Sequence, residues 1–142
     1  MKTTRLNTLT KTLFSGILAT MMIFLLHSCV QKALFLTSPV VPAAQGQVTV
    51  KQDKNNNYLI KMEISNLAQV DRLQPPKKSY VVWMEAERGL TRNIGLITSS
   101  GKLNVSFETV ATLRPNRIFI TAEEDESVQY PGSMVVLTTD RL

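Results

Sequence analysis

The stretch Tyr80-Val81-Val82-Trp83-Met84 is apolar at every position. Branched and aromatic side chains favour extended backbone, and an unbroken apolar run of this length is typical of a strand that is covered on both faces. Because side chains alternate along a strand, Tyr80 and Trp83 point to opposite faces. We predict a central strand with Trp83 as the central core residue, in preference to an exposed aromatic platform for a ligand.

The segments around this run alternate between apolar and polar residues. From Tyr58 to Ile64 the even-numbered positions are apolar, whereas Lys61 and Glu63 fall on the other face. Further segments place inward residues at Val48 and Val50, within 93–98, at Leu103, Val105 and Phe107, at Ile118 and Ile120, and within 134–138. A helical stripe is absent from the sequence after residue 29. The pattern predicts an all-β fold, a single immunoglobulin-like antiparallel β-sandwich of about seven strands.

Turn-forming residues separate these segments. The hairpin loop Asp53-Lys54-Asn55-Asn56-Asn57 consists of residue types that tolerate positive φ, and further turn formers stand at 88–89, 99–101, 114–116 and 130–132. The longest connection, 66–79, is expected to cross from one sheet to the other with Leu67 and Leu73 at the edge of the core.

The region before residue 47 is less regular. Pro39 and Pro42 exclude a central strand there. Leu34 and Leu36, or Phe35 on the opposite face, can still form an edge strand. We expect a short tether followed by an edge strand in 29–46, and the sandwich itself in 47–142.

The first 29 residues are of a different kind. A basic start is followed by an apolar run, Leu13 to Leu26, which ends in Leu26-His27-Ser28-Cys29. This arrangement resembles the signal peptide and lipobox of bacterial lipoproteins. The resemblance implies cleavage between Ser28 and Cys29, loss of residues 1–28, and a diacylglycerol group on the Cys29 thiol.

The lipobox also implies a location, which is a membrane of the bacterial cell envelope reached through the lipid on Cys29. Val30 is not the aspartate that retains some lipoproteins in the inner membrane, so the outer membrane facing the periplasm is favoured. The alternative is an uncleaved anchor helix with Cys29 as an ordinary buried thiol, because the apolar run is only slightly shorter than a spanning helix.

Cleavage changes the composition of the chain. Removing 1–28 from the 142 residues takes away Lys2, Arg5 and Lys11, so thirteen basic residues face eleven acidic ones and the net charge falls from +5 to +2. The basic residues are scattered, and binding to nucleic acid is therefore not expected.

Cleavage also removes His27, the only histidine, while Cys29, the only cysteine, carries lipid. A Cys-His or Ser-His nucleophile pair, a haem ligand set and a zinc site are then excluded. We expect no cofactor and no enzymatic activity.

A second resemblance extends over about 47–139. Its features are Tyr80-Val81-Val82-Trp83, then Gly95, then Ile118-Phe119-Ile120-Thr121-Ala122-Glu123, and after a loop Tyr130-Pro131-Gly132 leading to Leu137-Thr138. In this order they resemble the extracytoplasmic C-terminal domain of anti-sigma-K factors. The resemblance implies an envelope-side β-sandwich without catalytic residues. Residues before Leu13 are too few for the sigma-binding domain of that family, so direct inhibition of a sigma factor is not expected.

Two acidic segments are candidate cation sites. Asp53, Asn55 and Asn57 begin like a calcium-binding loop, but Tyr58 stands where that loop needs glycine and Ile64 where it needs glutamate. A hairpin loop is the preferred interpretation. The run Glu123-Glu124-Asp125-Glu126 is a weak candidate for a divalent cation, and a solvated loop that discourages edge pairing is preferred.

Two further features concern catalysis and binding. Glu85 and Glu87 fall on one face at the end of the Trp83 strand, but nothing in the sequence marks a cleft that would make them an acid–base pair. Tyr130, in the loop before Pro131, is the candidate for an exposed partner contact, and its alternative role is to cap the end of the core.

Three functional hypotheses follow. The first is a lipid-anchored interaction module whose loops or edge strand contact another envelope protein. The second is a small-ligand or glycan-binding lipoprotein, which requires an exposed aromatic pocket. The third is an accessory to envelope stress sensing, which the second resemblance suggests.

Overall fold

The computed structural model describes residue 13 and residues 30–97 and 103–142. The described chain contains eight strands: β1 (Val30–Leu34), β2 (Gln45–Gln52), β3 (Tyr58–Ser65), β4 (Ser79–Ala86), β5 (Thr91–Ile97), β6 (Val105–Ala111), β7 (Pro115–Glu123) and β8 (Val135–Thr138). Short 3₁₀ turns lie at Val70–Arg72 and Glu87–Gly89. Within the described ranges, we find no helix that is long and apolar enough to cross a membrane.

The strands form two four-stranded sheets. The first sheet has the order β1-β2-β3-β6 and the second β5-β4-β7-β8, and every neighbouring pair is antiparallel. The all-β sandwich predicted from the alternation is confirmed. The seven predicted strands correspond to β2 through β8, because a period-two pattern depends only on local sequence.

The eighth strand, β1, lies in the region where the sequence favoured a tether before an edge strand. It begins at Val30, and residues 37–44, which include Pro39 and Pro42, form the irregular segment after it. β1 pairs with β2, and just beyond it Phe35 bridges to Thr139 while the Leu36 N–H donates to the Thr138 carbonyl. The start of the sandwich therefore joins the open edges of both sheets.

The core lies between the two sheets. Its fully buried members, each with under 2 % of its surface exposed, include Val48, Ile60, Met62, Tyr80, Val82, Ile118, Ile120, Val136 and Leu137. The connection between β3 and β4 crosses from the first sheet to the second, and Leu67 and Leu73 are buried there as predicted. Leu103 departs from its prediction. It precedes β6, lies outside the strand and is exposed.

Tyr80 belongs to this core. Its hydroxyl donates to the Ala68 carbonyl over 3.0 Å, which fixes the crossing connection against β4. Burial, reinforced by the negative charge of Asp71, raises the pKa of Tyr80 from its ordinary 10.0 to about 12. The phenol is therefore a neutral core residue with a satisfied hydroxyl.

The strand β4 is covered on both faces, as its sequence predicted, and Trp83 is fully buried. However, Trp83 is not part of the core between the sheets. Tyr80, Val82 and Met84 point inward, which leaves Trp83 on the outer face of the second sheet. The prediction that Trp83 is the central core residue is wrong, because both faces of β4 are apolar and alternation cannot tell which of them is the inner one.

The loops are distributed over two ends of the sandwich. At the N-terminal end lie the start of β1, the β2–β3 hairpin (53–57), the β4–β5 turn (87–90), the β6–β7 loop (112–114) and the C-terminal tail (139–142). At the far end lie the connections 35–44, 66–78 and 124–134. The signal segment, Ser28, Cys29 and the turn predicted at 99–101 lie outside the described residues.

Candidate functional site

Strand β7 presents polar side chains on the face that a sandwich ordinarily exposes to water. Ile118, Ile120 and Ala122 point into the core, whereas Phe119, Thr121 and Glu123 lie on the outer face of the second sheet. Thr121 and Glu123 are nevertheless buried. Buried polar groups need hydrogen-bond partners, and these two have them.

A chain of hydrogen bonds links Trp83, Thr121, Glu123 and Gly132, and we call it the outer-face relay. The Trp83 indole Nε1–H donates to Thr121 Oγ1 over 2.8 Å, and the Thr121 hydroxyl donates in turn to Glu123 Oε1. The same carboxylate oxygen accepts the Gly132 N–H over 2.7 Å. Phe119 stacks beside the indole, with ring centroids 6.4 Å apart. The relay therefore ties two strands to the β7–β8 loop.

The β7–β8 loop, 124–134, folds back over the outer face. Its Gly132 reaches Glu123 on β7, and its Val128 carbonyl lies 3.5 Å from Asn93 Nδ2 on β5, at the long limit of a hydrogen bond. Since β4 lies between β5 and β7, the loop passes over β4, where Trp83 is buried. We infer that the loop, together with Phe119 beside the indole, shields the second face of that strand.

Both ends of this loop are held. At its start the Lys78 N–H donates to the Glu123 carbonyl over 3.0 Å, and Lys77 Nζ pairs with Glu124 at 3.2 Å. At its end the Ala122 N–H donates to the Met134 carbonyl over 3.0 Å. A loop with this many attachments to the sheet is preorganised.

Tyr130 is the most exposed large apolar side chain among the described residues, with 85 % of its surface accessible. It lies two residues before Gly132, which is the point where the relay fixes the loop. An aromatic ring held in water by a fixed backbone is the kind of group that anchors protein interfaces. Its exposure leaves the interpretation of Tyr130 as a cap of the core without support.

The acidic run does not converge on one point. Glu123 turns into the relay, Glu124 pairs with Lys77, and Asp125 Oδ1 accepts the backbone N–H and the hydroxyl of Ser127, each over 2.8 Å. The bonds from Ser127 hold the pKa of Asp125 below its ordinary value. Glu126 is exposed. In the part of the chain described here, no group of three or more metal-binding side chains forms.

Asp53 organises its own hairpin. Its Oδ1 accepts the N–H groups of Asn55 (2.7 Å) and Asn57 (2.9 Å), and Asn56 takes a positive φ of 62°. These bonds, chiefly the one from Asn57, lower the pKa of Asp53. In a calcium loop this carboxylate would bind an ion, but here it accepts backbone N–H groups and stabilises the turn.

Glu85 and Glu87 have separate surroundings. Glu85 Oε2 lies 3.8 Å from Arg117 Nη1 on the neighbouring strand, whereas Glu87 is exposed in the 3₁₀ turn after β4. The structure does not bring them together as a pair in a cleft.

An open groove of about 830 Å³ lies on the first sheet near the far end. Its lining is mixed. Polar side chains of Gln45, Gln47, Glu63, Ser65, Asn104 and Ser106 lie beside the apolar Leu34, Phe35, Ile64 and Val105. Gln47 Nε2 donates to Glu63 Oε2 over 3.3 Å, and this bond together with Lys61 lowers the pKa of Glu63. The groove is a candidate site for a small ligand with both polar and apolar groups.

Sequence reasoning singled out Tyr130 and Glu123 separately, and it missed Thr121 and Gly132 as their connection. The available signal was a polar pair, Thr121 and Glu123, at alternate positions of an otherwise apolar strand. Comparisons of the chain with protein-family models, with curated proteins and with solved structures found no match.

Proposed function

We propose that this protein is a non-enzymatic, lipid-anchored interaction module of the bacterial cell envelope, which contacts another envelope protein through the β7–β8 loop. The observation that carries the proposal is the exposure of Tyr130 on a loop that the outer-face relay holds in place. Because the loop is already ordered, binding costs less conformational entropy than it would for a mobile segment.

The positions of the anchor and the contact loop support this proposal. β1 begins at Val30, the residue after Cys29, and it does so at the N-terminal end of the sandwich. The β7–β8 loop leaves the sandwich at the far end. A strand of eight residues such as β3 is about 26 Å long, at 3.3 Å per residue. A lipid on Cys29 would thus hold one end of the domain while the contact loop starts from the other.

The strand order also supports the finer assignment of an immunoglobulin-like topology. In such a fold the first, second and fifth canonical strands (A, B and E) share one sheet, and strands C′, C, F and G share the other. β2-β3-β6 and β5-β4-β7-β8 fit this arrangement, with β1 as an added edge strand. The loop between β7 and β8 would then correspond to the F–G loop, which carries binding residues in many sandwiches of this kind.

The experiment that tests the proposal is site-specific photocrosslinking in cells. The photoreactive residue p-benzoylphenylalanine replaces Tyr130 in the tagged full chain, and a matched chain carries it at Asp140, which is exposed on the C-terminal tail. A Cys29→Ala version of each chain tests anchorage, and labelling with an alkyne fatty acid reports acylation.

We expect an adduct with one envelope protein from position 130, none from position 140, and loss of both the adduct and the fatty-acid label in Cys29→Ala. The same adduct from both positions would mean nonspecific contact and would contradict the proposal. The absence of any adduct, with labelling intact, would shift the function to ligand binding. In that case the groove on the first sheet is the surface to examine with a glycan screen.

A further inference from the structure

The N-terminal end of the sandwich exposes apolar side chains. Val110 has 62 % of its surface accessible, and Val30, Leu90 and Leu113 are also exposed. Val30, Lys51, Leu59 and Val110 form one row across the outer face of the first sheet, because each faces the next in the strand register. Leu90 and Leu113 stand in the two neighbouring loops. The N-terminal end therefore carries exposed apolar groups from β1 across the first sheet to β6 and in two of the loops at that end.

The same end is basic. The strand ends, loops and tail there carry Lys51, Lys54, Arg88, Arg92, Arg114 and Arg141, against Asp53, Glu87 and Asp140. None of these nine residues takes part in the ion pairs found among the described residues. By contrast, the far-end connections 66–78 and 124–134 together carry Arg72, Lys77 and Lys78 against Asp71, Glu124, Asp125 and Glu126. The charge of the domain is thus positive where β1 begins.

The place of Cys29 directly before β1 indicates what lies against the N-terminal end of the sandwich. Val30 follows Cys29 directly, and consecutive Cα atoms are about 3.8 Å apart. No tether separates the strand from the residue that would carry lipid. A domain attached in this way has its N-terminal end at the lipid headgroups.

We propose that the N-terminal end lies on the bilayer that holds the Cys29 lipid, with anionic phospholipid headgroups as its ligand. The inference rests on the proposed anchorage and adds an orientation to it. The basic side chains pair with lipid phosphates, and the exposed valines and leucines enter the interface. Each basic residue near an anionic surface raises the affinity about fivefold. Even part of this basic set therefore favours the orientation in which the N-terminal end lies on the bilayer.

Fluorescence quenching in vesicles tests this orientation. The lipidated full chain is reconstituted into vesicles of phosphatidylcholine, with or without phosphatidylglycerol, that contain a nitroxide-labelled lipid. Since Cys29 is the only cysteine and its thiol is occupied by lipid, an introduced cysteine is the single free thiol. Leu113→Cys places a fluorophore at the N-terminal end, and Gln129→Cys places the same fluorophore at the far end as a matched control.

We expect strong quenching at position 113, little at position 129, and more quenching at position 113 when phosphatidylglycerol is present. Lys54→Glu combined with Arg114→Glu should remove the effect of phosphatidylglycerol. Arg72→Glu combined with Lys78→Glu makes the same charge change at the far end and should leave it unaltered. All four side chains are exposed, so folding is preserved.

The outcomes distinguish the proposed orientation of the domain from its proposed lipid anchorage. A chain that carries acyl groups and sediments with the vesicles, but shows equal quenching at positions 113 and 129, overturns the orientation alone. A chain that has no acyl mass and stays in the supernatant overturns the proposed anchorage, and the orientation with it.

Discussion

The indole Nε1 of Trp83 lies 2.8 Å from Oγ1 of Thr121, and both side chains are fully buried although they lie on the outer face of a sheet. This pair begins the outer-face relay that runs through Glu123 to the backbone of Gly132. Because a buried donor without a partner is costly, the relay couples the burial of Trp83 to the position of the loop above it.

Replacing Thr121 with valine tests this coupling. Valine keeps the volume of the side chain but cannot accept from the indole or donate to Glu123, so two buried polar groups lose a partner. We expect a loss of about 1–3 kcal/mol in the free energy of unfolding. Urea unfolding followed by the fluorescence of Trp83, the only tryptophan, measures it. Thr49→Val, on the outer face of the first sheet, is the control and should change stability by less than about 0.5 kcal/mol. Equal effects of the two substitutions would show that the relay contributes nothing.

Substitution of Gly132 tests the attachment of the β7–β8 loop to Glu123. A Cβ atom at this position would lie 2.5 Å from Glu123 Oε2, so Gly132→Ala must displace the carboxylate. We expect a loss of about 1–3 kcal/mol in stability and weaker crosslinking from position 130. Ser133→Ala, at the exposed next residue, should do neither.

Repeating Gly132→Ala in a Glu123→Ala background identifies the cause of the lost stability. If the clash with the carboxylate is responsible, Gly132→Ala costs less there than in the parent chain. A cost that is unchanged in this background would assign the effect to the backbone alone.

Substitution of Gly95 tests the packing between β5 and β6. It has a φ of +147°, and a Cβ atom there would lie 2.7 Å from Phe107 Cζ. Gly95→Ala combines backbone strain with this overlap, and we expect a loss of about 1–3 kcal/mol. In a Phe107→Leu background the overlap is relieved and only the strain remains, so the loss should be smaller. Identical losses in the two backgrounds, measured by urea unfolding, would rule out the contact with Phe107.

Tyr80 gives the domain a pH dependence at high pH. The unfolded chain releases the phenol proton at its ordinary pKa of 10.0, whereas the folded chain keeps it up to about 12. The folded state therefore binds more protons between these values, and its stability falls as the pH rises from about 10 to about 12. Tyr80→Phe should flatten this part of the profile. Tyr130→Phe, at an exposed site, should retain it, and a retained slope in Tyr80→Phe would assign the dependence to other groups.

The strands and their core positions could be predicted from the sequence because alternation is a local property. Val48, Ile60, Met62, Ile118 and Ile120 are buried where the pattern places them. Leu103 was misplaced because its apolar character continues the alternation of β6, although the strand begins only at Val105. The pattern of residues sets which side chains share a face, but not where hydrogen bonding between strands starts.

The candidate site was predicted only in pieces. Tyr130 and Glu123 were recognised by their chemistry, whereas their connection depends on the loop 124–134 folding back across β4. The partners in the relay are separated by up to 38 positions along the chain, as Trp83 and Thr121 are. Such contacts follow from strand order and register, which no local pattern contains.

For this protein, the sequence by itself determined the fold class, most strand positions and the two-sided burial of β4, because each depends on the spacing of apolar residues along one segment. Only the tertiary structure decided which face of β4 meets the opposite sheet. Both faces are apolar, and the choice depends on the pairing of β4 with β7 and on the loop that covers Trp83 from outside. The inner and outer faces of a strand are distinguished by what packs against them, and that is a property of the assembled sandwich.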